Sequence, residues 1–369
     1  MSFPLQRLLL EPREILKLDN RQIHEVFSQA RSSRLLASLA SGLQLDGVDS
    51  LLPPTITRHL QSALLTHQKQ KRDLAYDCEN VKQALDSIGE KLVLLKGAAY
   101  LLAEVPVGQG RLITDIDILV PHRRIDEVER ALNRFGWESS YLNAYNERYY
   151  RLWGHEIPPL TNSKRGTTLD VHHNIMPPTA GPNVDAGLLF DNLLEVKPGI
   201  FTLSWQDMVI HSATHLFHES EFHHGLRDLW DLNRMLRDFP KRDPHFWNGL
   251  VTRARKLDLL ASLFHGLRYA QQVFGTPIPA DVVESAGSWS RSLRKPIMDF
   301  LFLRAFRPDH PQCKLPYTGL ALNLLYARSH YLRMPLYLLL PHLVRKTWMR
   351  RFHNEVSFPE DVGTRDREH

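Results

Sequence analysis

The chain has 369 residues, 43% hydrophobic and 24% charged, with a formal net charge of +5, which is ordinary for a soluble globular protein of two or three domains. Its two cysteines, Cys78 and Cys313, lie far apart and form no Cys-x-x-Cys, which excludes a disulfide framework and a zinc ribbon and fits a reducing, cytoplasmic setting. The opening apolar run soon meets Glu11 and Arg13, so no secretory signal is expected, and no apolar run reaches the roughly eighteen residues of a spanning helix.

Residues 1–89 read as helices. Ile23, Val26, Phe27 and Ala30 recur at helical spacing. Pro53-Pro54 then opens a long pattern through Leu60, Leu64, Leu74, Val81 and Leu85, with Gly89 as the stop. At Lys91 the character changes. Leu92–Leu95 is a short buried strand, Ala98–Glu104 a short helix, and Asp115–Val120 a second strand stopped by Pro121. An amphipathic helix follows through Ile125, Val128 and Leu132, closed by Gly136. Strand-like pieces come next at 138–141, 147–152 and 167–172, completing an α/β unit over 90–200.

The region 201–356 is helical again. Ser204 and Asp207 are spaced as a capping box, and Pro240, Pro277, Pro308 and Pro335 punctuate the helices. A polar tail occupies 357–369. From Lys241 onward there are 20 Lys+Arg against 11 Asp+Glu. The basic and aromatic stretch from Arg345 to Asn354 has the composition for an anionic lipid surface or a nucleic-acid backbone, but a solvated surface helix is the favoured reading.

The chemistry concentrates in "LLKGAAYLLAEVPVGQGRLITDIDILV", Leu94 to Val120. Residues two apart in a strand share a face, so Asp115 and Asp117 project together while Ile116 and Ile118 pack behind them. Two unpaired buried carboxylates would cost several kcal/mol, roughly, through desolvation and repulsion, and a divalent cation removes that penalty. Mg²⁺ suits such hard oxygen ligands. Asp170, in "TTLDVHHNI", is a third strand acid, sharing a face with Thr168 and His172. Gly97 at the strand-to-helix turn, Lys96 beside it and Arg111 read as phosphate-binding residues. In the absence of a cation the acids are expected to repel, so neutralising Asp117 should leave the metal-free protein at least as stable.

Outside this stretch, His211, His215 and His218 share a helix face but lack the Glu of a His-Glu-x-x-His zinc motif, and are expected to line the cleft or pack against the core. His172 and His173 are candidates to orient an acceptor or a carboxylate. Asp228 and Asp231 read first as acids of a capped or ion-paired helix.

The order of glycine, short helix, Asp-x-Asp strand and later strand acid resembles the DNA polymerase β-like nucleotidyltransferase superfamily. More narrowly, "LLKGAAYLL", "GRLITDIDILV" and "LDVHHN" resemble the bacterial family called uncharacterised nucleotidyltransferases. The likeness in organisation runs roughly from Arg21 to Phe239, with the motifs in Leu94–Val120 and Thr167–Asn174. It implies an α/β (α+β) minimal transferase core with a small mixed sheet, flanked by N- and C-terminal helical regions. It also implies transfer of a nucleoside monophosphate from an NTP to a hydroxyl-bearing acceptor, protein, RNA or small molecule. Carried over, Asp115 and Asp117 hold one Mg²⁺, Asp117 and Asp170 a second, and Lys96, Gly97, Arg111 and Thr114 bind nucleotide. Gly97-Ala98 replaces the superfamily's Gly-Ser or Gly-Gly, and Thr114 its common serine. The alternatives are a toxin-like member acting on RNA and a non-catalytic adaptor that kept the fold.

Overall fold

A computed structural model describes residues 3–139, 150–287, 295–335 and 337. The basic stretch 345–354 and the tail fall outside them.

Helices α1 (Pro4–Leu10), α2 (Asn20–Ser32), α3 (Leu36–Leu45) and α4 (Pro54–Asp86) build the N-terminal layer. In α2 the expected stripe Ile23, Val26, Phe27 and Ala30 is buried, and burial of such side chains stabilises by about 1.5–3 kcal/mol each for the larger ones. Its start is fixed by a reciprocal cap: Asp19 accepts from the Gln22 amide at 2.8 Å, and the Gln22 side chain accepts from the Asp19 amide at 2.9 Å. The helix α4 packs on α3 and runs behind the sheet, where it meets strand β1 (Leu92–Leu94), α5 (Lys96–Leu102) and α6 (Ile125–Arg134).

The remaining strands are β2 (Asp115–Leu119), β3 (Trp137–Ser139), β4 (Leu160–Asn162), β5 (Thr168–His172), β6 (Leu194–Lys197) and β7 (Ile200–Thr202). They form one mixed sheet in the order β3-β4-β5-β2-β1-β7-β6, so the expected mixed α/β architecture holds, with seven strands. Strand β2 is central: it runs antiparallel to β1 and parallel to β5. Such parallel strands are buried on both faces, and Ile116, Ile118 and Leu119 are almost wholly so.

After the sheet come α7 (Trp205–His218), α8 (Gly225–Arg242), α9 (Phe246–Lys256), α10 (Leu260–Phe274), α11 (Ala280–Ala286), α12 (Lys295–Ala305) and α13 (Thr318–Arg333). Helices α7, α8, α9 and α10 pack on one another, and α7 also contacts α5. The buried apolar residues form one continuous cluster from Phe3 to Leu325.

Several local expectations are corrected. Tyr150–Leu152, expected in a strand, is helical, and the turn closes where the Gly154 amide donates to Tyr150 O at 3.1 Å. A Cβ at Gly154 would sit 2.6 Å from that same carbonyl, so only glycine closes it this tightly. Ser204 does cap α7, accepting from the Asp207 amide at 3.1 Å, but the Asp207 carboxylate turns away to Arg253 at 2.7 Å instead of completing a capping box. Pro240 lies inside the last turn of α8 and does not separate helices. The strands β4, β6 and β7 were not anticipated.

Candidate active site

The parallel pairing of β2 and β5 sets Asp117 directly beside Asp170 and Asp115 beside Thr168. Partners in register on parallel strands share a face, with backbones about 4.8 Å apart. All three acids therefore project from one face, joined by His172, the register partner of Leu119. Glu156 forms an antiparallel bridge with His172 and adds a fourth carboxylate there.

Asp117 is the paired member. Its Oδ1 accepts from Lys96 Nζ at 2.8 Å and from His172 Nε2 at 2.9 Å. Burial opposes its charge, but Lys96 and His172 outweigh that and hold the carboxyl well below the usual range. Burial likewise opposes the Lys96 charge, and Asp117 reverses the balance. Lys96 reaches this position because Leu95 extends the β1–β2 ladder, its amide donating to Asp117 O at 2.9 Å. The chain then turns through Lys96 with φ 46°, a left-handed conformation that costs a β-carbon residue about 1–2 kcal/mol. The strain falls on the residue that neutralises Asp117.

Asp170 is the opposite case. Its Oδ1 is buried and has no hydrogen-bond partner among the described residues. Burial, then Glu156 and Asp117, pushes its pKa up to about 8. Asp115 is also raised, by burial and then by Asp117, and Thr114 Oγ1 donates to it at 3.2 Å. Four carboxylates thus face one ammonium and one imidazole. An orphaned acid oxygen beside like charges is what a divalent cation satisfies, so Asp115, Asp117 and Asp170 fit a magnesium-type group.

Arg111 lies beside Gly97 and its charge acts on Asp115, but the guanidinium is already paired. Its Nε donates to Asp231 at 2.7 Å, its NH2 lies 3.7 Å from Asp228, and it also bonds the Leu112 carbonyl. Gly97 makes room for packing: a Cβ there would fall 2.7 Å from Ile113 Cγ2, two residues before Asp115. Two arginines that sequence reasoning missed lie in the same electrostatic neighbourhood. Arg227 donates to Asp228 at 2.7–2.8 Å. The Arg34 side chain, between α2 and α3, makes no hydrogen bond among the described residues; burial, then Arg227 and Arg111, lowers its pKa, while Asp115 and Asp228 act in the opposite direction. No periodicity marks them, because they come from points more than a hundred residues apart.

His211 and His215 do lie toward the site. Burial, and after it the Lys96 ammonium, holds His211 well below the usual histidine range and brings His215 to about 4. His218 bonds Thr214 O at 2.9 Å instead. His173 stacks edge-on against His122, with ring centroids 4.6 Å apart.

A mixed sheet with an Asp-x-Asp strand beside an in-register third acid defines a nucleotidyltransferase type of fold. The chain belongs to the family described as uncharacterised nucleotidyltransferase, whose model matches residues 19–275. Membership supports nucleotidyl transfer as the general activity, with an NTP as substrate. No curated protein matches the chain, and no solved structure does. Among the described residues no helix is long and apolar enough to cross a membrane.

Proposed function

We propose that this chain is a magnesium-dependent, cytoplasmic nucleotidyltransferase that moves an NMP from an NTP to a hydroxyl-bearing acceptor and releases pyrophosphate. One observation carries the reading: Asp117 and Asp170 are register partners, and Asp170 keeps a buried oxygen without a partner. Asp115, Asp117 and Asp170 would hold the cations, which polarise the transferred phosphoryl and lower the pKa of the acceptor hydroxyl when bound. The transferase core is proposed to span residues 90–200, set between helical regions.

The chain's own residues do the positioning. Asp170, set beside Asp117 by the strand register, would take the acceptor proton. Lys96, paired with Asp117, would offer its ammonium to an incoming phosphate. Arg34, whose charge acts on Asp115, and Arg227, held by Asp228, would supply positive charge for the triphosphate, since Ala98 offers no hydroxyl. Thr114 steadies Asp115.

The test is incubation with each α-labelled NTP, Mg²⁺ and a fractionated lysate of the source cell, with Asp170→Asn as the blank. Label in one acceptor fraction with wild type alone supports the reading. Equal labelling by the variant, or none in any fraction, refutes it.

A further inference from the structure

We infer that His155, Glu156 and His172 form a site for a zinc-class divalent ion, separate from the aspartate cluster and joined to it through the His172 ring. The three residues each offer a ligand atom, and these atoms lie within 4.8 Å of one another. Among the described residues the histidines of α7 form no comparable group.

The backbone fixes this constellation. The Ile157 amide donates to Val171 O at 3.1 Å, and the His173 amide to His155 O at 2.8 Å. Residues 155–157 are thereby stitched antiparallel to the end of β5, and Glu156 stands beside His172. The His155 and His172 rings are 5.3 Å apart at their centroids.

The chemistry of His172 points to a metal. Its Nε2 donates to Asp117 Oδ1 at 2.9 Å, which turns Nδ1 toward Glu156. That Nδ1 is buried, has no hydrogen-bond partner among the described residues and lies 3.2 Å from Glu156 Oε2. A cation between Nδ1 and Glu156, whether a proton or a metal ion, satisfies both atoms, and His155 stands beside them to complete a metal's ligand set. Metal-bound histidines characteristically donate their other ring N–H to a carboxylate, which is the arrangement His172 and Asp117 already have. The His155 side chain makes no hydrogen bond among the described residues and, kept neutral by burial, is ready to ligate.

Two imidazoles and one carboxylate select zinc-class ions over magnesium, which prefers oxygen alone. Tetrahedral zinc with bonds of about 2.0–2.1 Å sets its ligand atoms about 3.3 Å apart. The observed spread closes to that by side-chain torsion. A cation on Nδ1 strengthens the Nε2–H donor and so helps keep Asp117 ionised, a coupling that does not depend on which reaction the aspartates serve.

The full chain, stripped with chelator and dialysed, is titrated with Zn²⁺ alone by calorimetry and with Co²⁺ alone by visible absorption. The expected result is about one ion per chain, with tetrahedral cobalt bands, at an affinity that millimolar Mg²⁺ does not change. Glu156→Gln and His155→Ala, checked for folding by circular dichroism, should each lower affinity by at least about tenfold. Glu156→Gln keeps the test decisive should His155→Ala misfold. Asp115→Asn and His218→Ala should bind as wild type does. The proposal fails if wild type takes up no stoichiometric ion, if Glu156→Gln binds unchanged, or if Mg²⁺ or Asp115→Asn abolishes binding, since the ion would then belong to the aspartates.

Discussion

At the scale of single residues, the acids of the site are not equivalent, and this overturns the expectation that neutralising Asp117 is harmless without metal. Lys96 and His172 already serve as resident cations for Asp117, which is 4% exposed. Stripping one partner from a buried ion pair costs about 3–5 kcal/mol, so Asp117→Asn is expected to melt well below wild type in EDTA. Asp170 has no such bonded partner among the described residues, and burial with the charges of Glu156 and Asp117 outweighs the pull of His172, so Asp170→Asn should be neutral or stabilising in EDTA. Both variants should lose Mg-NTP stabilisation and transfer. Thermal melts with and without Mg-NTP decide this, and an Asp170→Asn protein as crippled as Asp117→Asn would remove the distinction. Arg34→Ala carries a second expectation. Removing one charge-assisted contact worth about 1.5–3 kcal/mol should raise KM for the NTP roughly tenfold or more while sparing the melting temperature. An unchanged KM would take Arg34 out of the site. The aspartates were legible because strand alternation exposes them in sequence. Glu156, Arg34 and Arg227 were not, since what places them is a β-bridge and helix packing between distant segments.

Among the elements, α4 aims the site from behind. Its Gln70 brackets Ile113, donating from Nε2 to the carbonyl and accepting from the amide, each at 3.2 Å. One turn earlier, His67 Nδ1 donates to Arg111 O at 3.2 Å and its Nε2 accepts from the Gly110 amide at 3.3 Å. These contacts fix residues 110–113, the segment that delivers Asp115. Gly110 has φ 72°, and a Cβ there would lie 2.4 Å from Ala37 O, so the segment is pinned against α3 as well. Gln70→Ala leaves two backbone groups of Ile113 unpaired and should cost about 1–3 kcal/mol. Because it loosens the approach to Asp115, kcat should fall more than KM rises. A loss confined to stability, with kcat intact, would make α4 a mere support. The long helix itself was legible from Leu60, Leu74, Val81 and Leu85, all buried. Its grip on the Asp115 loop was not, because His67 and Gln70 are polar residues within a polar face. The hairpin of β6 and β7 was missed for another reason. Each strand is three or four residues long, and their pairing carries a register irregularity at Glu195 and Lys197. Segments so short give no measurable alternation.

For the whole molecule, the helices after the sheet share an aromatic core that holds two neutral histidines, and this makes stability depend on pH. His265 lies among Phe217, Phe264, Tyr269 and Phe302, and burial, then Arg328, brings its pKa down to about 3. His218, 8% exposed, is brought to about 4 by burial, partly offset by its bond to Thr214. An unfolded histidine titrates near ~6.5. Between that value and the folded pKa, the unfolded chain binds a proton that the native one refuses. Stability therefore falls as pH drops from about 6.5 toward 4, by up to about 1.4 kcal/mol per pH unit for each fully buried histidine. His265 is only partly shielded, so solvent narrows the pH window of its contribution and leaves the slope within it unchanged. Replacing it with phenylalanine keeps the ring stacking and removes the titration. Urea unfolding of wild type and His265→Phe at pH 7, 6 and 5 should give curves that converge at neutral pH. They should separate on acidification, with the variant the more stable. Parallel loss in the two proteins would mean that His265 is protonated in the native state, and that acid sensitivity arises from carboxylates instead.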